Sequence, residues 1–109
     1  MTFSSATTDA LVRFKDWNDE DLGSVRGAVG AYELAAQKLA EQADLDEPTW
    51  ALLSQLGSVA SAQLLESAVA AEEAGDLARG ELLSAEGARI ARSLATLVRL
   101  GGAEKAVRR

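Results

Sequence analysis

Apolar residues recur at helical spacing along most of the chain. Between residues 18 and 43 they are alternately three and four positions apart over three heptads, which predicts a long amphipathic helix with Asn18 as its N-cap. This heptad stripe serves either as core of a helical bundle or as a seam between copies of the chain. Its members are Leu22, Val25, Val29, Tyr32, Ala36, Leu39 and Ala43.

Start and stop signals predict three more helices. A short one is capped by Thr7 or Thr8 and runs through Trp17. A second long helix runs from about residue 47 to 74, with Pro48 in its first turn, where the missing N–H is tolerated. A third long helix covers residues 76–100 and is expected to stop at Gly101-Gly102, a typical C-terminal signal.

The fold class that follows is all-α. No segment alternates with period two, and the short loops favour antiparallel neighbours. With 109 residues there is room for one core. We therefore predict a single domain over residues 1–109, a bundle of three long antiparallel helices and a short N-terminal helix. Residues 1–6 and 103–109 are expected to be loosely ordered.

Composition excludes much chemistry, because the chain has no cysteine and no histidine. Disulfides, thiolate nucleophiles, Ser-His-Asp sites and zinc sites built on thiolate or imidazole are excluded. Glu66, Glu72, Glu73 and Asp76 cluster at one helix end, where a solvated face is the simpler interpretation than a catalytic or metal role. No glycine-rich phosphate loop is present. We predict a protein that is not an enzyme, without catalytic residues, metal, cofactor or small-molecule substrate.

Targeting and membrane signals are also absent from the sequence. Residues 1–10 lack the basic and apolar regions of a signal peptide, and the uncharged stretch 48–65 is interrupted by serine, glutamine and glycine. A cytoplasmic protein that does not enter membranes is expected; if the protein is viral, the cytoplasm is that of a bacterial host.

The net charge of −6 is unevenly distributed. Residues 1–76 hold 4 Lys/Arg and 14 Asp/Glu, which gives −10, whereas residues 77–109 hold 7 and 3, which gives +4. On a helical wheel, three arginines lie opposite the apolar stripe of the third long helix. Together with the basic tail they are candidates to contact phosphates or an acidic partner, or else they form a solvated face balanced by the acidic half. These candidates are Arg89, Arg92, Arg99, Lys105, Arg108 and Arg109.

All five aromatic residues fall within the first 50 positions. Trp17 and Trp50 are large enough to anchor a protein partner. The alternative is that they pack the short first helix onto the long pair, as a lid on the bundle.

The third long helix resembles part of a known family. The run from Ala74-Gly75-Asp76-Leu77-Ala78 into Ala88-Arg89-Ile90-Ala91-Arg92-Ser93-Leu94-Ala95-Thr96-Leu97 is similar to the C-terminal helix of phage terminase small subunits. The resemblance covers about 30 residues. It implies a homo-oligomer, often a ring, that recognises viral DNA and passes it to a terminase large subunit. The helix-turn-helix of many members has no counterpart here, because the N-terminal part is acidic.

Three functions therefore stay open. The first is a non-enzymatic, oligomeric phage protein of this type, which aids DNA recognition and packaging. The second is a small acidic adaptor or inhibitor that binds one protein partner. The third is a structural subunit of a larger particle.

Overall fold

The computed structural model describes residues 4–18 and 20–108, with the side chains of residues 4–18 and 20–101. All regular structure in these ranges is helical, and the order is α1 (Ser5–Asp16), α2 (Leu22–Ala40), α3 (Glu47–Glu73) and α4 (Leu77–Arg108). The all-α class predicted from the sequence is confirmed. Across the same ranges, no helix combines the length and apolar character needed to cross a membrane.

Side-chain caps fix where most of the helices begin. Ser4 accepts a hydrogen bond from the Thr7 N–H at 3.2 Å, and Asp76 accepts one from the Arg79 N–H at 3.1 Å. Asp46 caps α3, and its carboxylate also accepts a 2.8 Å hydrogen bond from the Thr49 hydroxyl. Each cap satisfies an N–H that lacks an intrahelical partner. Because Ser4 provides the cap, α1 begins at Ser5, and the predicted cap at Thr7 or Thr8 is wrong.

The predicted start of α2 at Asn18 is wrong. The Asn18 side chain accepts a 3.0 Å hydrogen bond from the Glu20 N–H and so forms a turn, while Asp21 caps the helix through the Gly23 N–H at 2.9 Å. The helix ends at Ala40, so Ala43 is exposed in the following loop rather than being the last member of the heptad stripe.

The predicted stop at Gly101-Gly102 is also wrong, because α4 continues through both glycines to Arg108. The helix continues through Gly101 because this glycine contacts Trp50, a residue that is distant in the sequence. The Trp50 indole packs so closely on Gly101 that a Cβ there would lie 2.7 Å from Trp50 Cε2. The ring also donates a hydrogen bond from Nε1 to the Leu97 carbonyl. Gly101 is therefore needed for packing, and the packing offsets its low helix propensity.

Replacing Gly101 by alanine should lower the free energy of unfolding, although alanine is the better helix former. Overpacking a close contact costs about 1–3 kcal/mol, and the better helix propensity of alanine returns roughly 1 kcal/mol. Urea unfolding followed by circular dichroism measures the difference. A Gly101→Ala variant more stable than the wild type would contradict the proposed contact.

Helices α3 and α4 form the main antiparallel pair. Trp50 meets Gly101, Leu64 meets Gly87 and Ala68 meets Gly80, so residue numbers in the two helices rise in opposite directions. These three of the four glycines of α4 face α3 at multiples of seven residues, which allows the two backbones to approach closely. The turn between the helices is closed by Gly75, whose φ of +88° favours glycine.

The N-terminal helices cover one side of this pair. Helix α1 packs on α2, and α2 lies against α4 much more than against α3. The molecule is elongated, with extents of 51 × 25 × 16 Å; the long axis matches the roughly 48 Å expected for the 32 residues of α4 at 1.5 Å each. Helices α3 and α4 therefore keep one side that α1 and α2 do not cover.

Candidate functional site

A network of four charged residues joins α2 to α4. Glu86 is the one charged residue among the buried side chains that the structure describes. Arg89 donates to Glu86 Oε2 from Nη1 at 2.7 Å, and its Nε and Nη2 donate to the two carboxylate oxygens of Glu33. Arg26 adds a longer ion pair, with its Nε 3.7 Å from Glu86 Oε1. Two carboxylates are thus balanced by two guanidinium groups.

The charge network raises the pKa of the Arg89 guanidinium. The hydrogen bond to Glu33 raises the pKa of the guanidinium above its ordinary value; burial opposes this, and the nearby charges of Glu86 and Glu33 add to it. The Arg89–Glu33 contact has two parallel donor–acceptor pairs, the geometry that favours arginine over lysine. We conclude that Arg89 holds α2 against α4.

The predicted basic face therefore has to be corrected at Arg89. This side chain is about two thirds buried and faces α2, so it does not share an open surface with the other arginines of α4. The helical wheel of α4 shows which residues lie opposite the apolar stripe. It does not show that α2 covers the flank on which Arg89 lies.

Arg92 and Arg99 do lie on the open surface of α4. Both are exposed, and neither forms an ion pair with any residue of the described part. They are seven residues apart, about 10.5 Å along the helix axis. Arg99 makes only a weak intrahelical contact, from Nη2 to Thr96 Oγ1 at 3.4 Å. The side chains of Lys105 and Arg108, and all of Arg109, lie outside the described residues.

The two tryptophans make contacts inside the chain. Trp50 is partly buried between α3 and α4 through its contacts with Leu97 and Gly101. Trp17 is partly buried against the core, and its ring centroid is 5.0 Å from that of Phe14. Trp17 is therefore compatible with the lid, whereas Trp50 packs α3 onto α4 and not the first helix onto the long pair.

The heptad stripe of α2 contributes to the core of the single chain. Leu22 is partly buried against this core, and the other members within the helix are buried in it: Val25, Val29, Tyr32, Ala36 and Leu39. They are therefore not exposed as a seam in this fold.

Tyr32 is the largest of these side chains and carries a polar group into the core. It is fully buried, and its hydroxyl donates a 2.8 Å hydrogen bond to the Leu53 carbonyl of α3. Burial raises the pKa of the phenol well above its ordinary value. Gly57 makes room for the ring, because a Cβ there would lie 2.7 Å from Tyr32 Cζ and still closer to the hydroxyl.

Sequence reasoning missed the charge network, although one signal for it was present. Glu86 lies three residues after Leu83 and four before Ile90, both fully buried members of the α4 stripe. An acidic residue at such a position needs a buried partner, because an unpaired buried carboxylate is costly. That signal predicts a partner but does not identify Arg89 or Arg26.

No candidate metal site occurs among the described residues. No three acidic side chains among them converge in a way that could hold a metal ion. A shallow groove of about 240 Å³ follows α2 and α4 beside the charge network, lined by Glu33, Ala36, Gln37, Ala40, Ser93 and Thr96. Comparison with family models, curated proteins and solved structures finds no match to this chain.

Proposed function

We propose that this protein is a non-enzymatic homo-oligomer that contacts DNA through the outward surface of α4. The observation that carries the proposal is the pair of exposed arginines, Arg92 and Arg99, which lack ion-pair partners among the described residues. Of the three functions left open by the sequence, the terminase small subunit type fits this surface best. In that role the protein would aid recognition of viral DNA and its transfer to a large subunit.

The charge distribution supports a polyanionic partner for this helix. From residue 92 onward the chain contains Arg92, Arg99, Lys105, Arg108 and Arg109 against the single acidic Glu104. The 14 acidic residues of positions 1–76 instead repel phosphate, so DNA is expected to approach from the α4 side alone.

The adaptor hypothesis receives less support from the same structure. It rested on the charge of −10 over residues 1–76 together with Trp17 and Trp50 as anchors, and both rings pack against other parts of the chain. An anchor residue has to bury new surface when its partner binds, and part of the Trp50 ring is already in contact with Leu97 and Gly101.

The salt dependence of DNA binding tests the proposal. We expect the logarithm of the association constant to fall linearly with the logarithm of salt concentration. The double variant Arg92→Ala/Arg99→Ala should have a slope smaller by about 1.8, which is 0.9 for each phosphate contact removed. Fluorescence anisotropy with a labelled duplex, measured at several salt concentrations, gives both slopes.

A matched control removes two positive charges elsewhere. Arg13 is an exposed residue of α1 paired with Asp9, and Lys38 is exposed on α2. Arg13→Ala/Lys38→Ala should leave the slope nearly unchanged. The proposal is overturned if the wild type has no affinity at low salt, or if the two double variants lower the slope equally.

A further inference from the structure

Arg92 and Arg99 extend from one line along a firmly packed part of α4. Their separation of seven residues corresponds to about 10.5 Å along the helix axis and only about 20° around it. On the opposite side of the same turns, Ile90 and Leu97 are fully buried in the core. The packing therefore fixes the distance between the two points from which the arginine side chains extend.

The surface around the two arginines is low and has no aromatic ring. Ala88, Ala91 and Ala95 are exposed there, and the sequence of α4 contains no aromatic residue. Alanine does not hold a ligand away from the helix, so a polyanion can approach closely. Proteins that bind single strands stack the bases on aromatic side chains, which α4 does not provide. The surface is therefore suited to phosphates held at a fixed distance, as they are in a duplex.

We infer that this surface binds a DNA duplex across its minor groove, with Arg92 on a phosphate of one strand and Arg99 on a phosphate of the other. The minor groove of B-DNA is about 6 Å wide, and the radii of the two phosphate groups that border it add roughly 6 Å, so their centres are about 12 Å apart. The two arginines are about 10.5 Å apart and reach both phosphates by extending nearly straight outward. The major groove is about 12 Å wide, which places its bordering phosphates roughly 18 Å apart, beyond this spacing.

The width of the minor groove then decides which duplex binds best. An A-tract has a narrow minor groove, whereas G·C-rich DNA tends toward the A-like form, in which the minor groove is wide. Narrowing brings the two phosphates from roughly 12 Å toward the arginine spacing of about 10.5 Å, and widening moves them away from it. We therefore expect a preference for A-tract duplexes that requires no contact with the bases.

This inference rests on the proposed function, because it takes DNA as the ligand of the outward surface of α4. It adds the groove that is bound and the shape of DNA that is preferred. The proposed function depends on the charge of Arg92 and Arg99, whereas the inference depends on their spacing. Variants that change the spacing at constant charge therefore test the inference separately.

The variant Ala95→Arg/Arg99→Ala moves one arginine without changing the net charge. Its two arginines are three residues apart, or about 4.5 Å along the axis, and both lie on the exposed surface of α4. Fluorescence anisotropy at constant salt concentration gives the dissociation constants for two labelled duplexes of equal length, one an A-tract and one G·C-rich. We expect the wild type to bind the A-tract several-fold more tightly. The variant reaches only one strand and should bind both duplexes equally.

The matched control, Arg92→Lys/Arg99→Lys, keeps both the charge and the spacing and should keep the preference for the A-tract. Circular dichroism should show the same helix content for the wild type and both variants. The inference alone is overturned if the wild type does not prefer the A-tract, if Ala95→Arg/Arg99→Ala keeps that preference, or if the lysine variant loses it. A wild type with no affinity for either duplex at low salt overturns the inference together with the proposed function.

Discussion

Gly57→Ala should destabilise the protein by about 2 kcal/mol. Overpacking costs about 1–3 kcal/mol and the loss of a hydrogen bond costs about 1 kcal/mol, whereas the higher helix propensity of alanine returns about 1 kcal/mol. The added methyl group would overlap the Tyr32 hydroxyl. The ring would have to move, and its hydrogen bond to the Leu53 carbonyl would be strained or broken. For a domain of this size the expected fall in Tm is roughly 10 °C.

Gly30→Ala provides the opposite control. This glycine is also inside a helix, α2, but a Cβ there has nothing within 4 Å. Its replacement should stabilise the protein by about 0.5–1 kcal/mol through helix propensity alone. The pair of variants therefore separates packing from propensity in thermal and urea unfolding. Destabilisation of similar size at both positions would show that Tyr32 is not the cause.

Arg89→Met should be the other strongly destabilising change, by about 2–3 kcal/mol. Removing the guanidinium leaves Glu86 buried with only the more distant Arg26 beside it. The loss is less than for a fully buried pair, because about a third of the Arg89 side chain is exposed and solvent screens its charge.

The double variant Arg89→Met/Glu86→Met distinguishes an unpaired buried charge from lost packing. Apolar replacement of both partners removes the charge that needs pairing, so most of the stability should return. Chemical unfolding gives the free energies of unfolding of the wild type, both single variants and the double variant, which together form a double-mutant cycle. If Glu86→Met restores nothing to Arg89→Met, then the unpaired charge of Glu86 is not the cause of the loss.

Local signals in the sequence were sufficient for α3. Asp46 as cap, Pro48 in the first turn and Gly75 after the end are all within a few residues of the boundaries they set. The observed helix, Glu47–Glu73, accordingly differs from the predicted range by one residue. The same holds for the start of α4, where Asp76 is the cap.

Contacts between distant residues account for what the sequence could not predict. Gly101 is a stop signal when only its neighbours are considered, and the contact that keeps it helical comes from Trp50, 51 positions earlier. The helical wheel places Arg89 on the open face for a similar reason. The periodicity of α4 gives the direction of the side chain but not the position of α2, on which the pairing with Glu33 depends.

The candidate site was therefore predicted in part. Arg92 and Arg99 lie on the exposed face of α4, as the wheel indicated, whereas the uncharged stretch 48–65 of α3 was noted only as a stretch too polar to span a membrane. Apolar residues around most of a helix normally indicate burial on several sides, but Val59 and Leu65 are exposed. The structure leaves that side open.

Native mass spectrometry at low ionic strength, with and without a short DNA duplex, tests the central claim most directly. The claim is that copies of the chain associate and present the arginines of α4 to DNA. The predicted spectrum contains multiples of the 11.4 kDa chain beginning at the dimer, and a mass shift of one duplex on the assembly that is less abundant for Arg92→Ala/Arg99→Ala. A spectrum with only the monomer, and no duplex bound to it, would contradict the account.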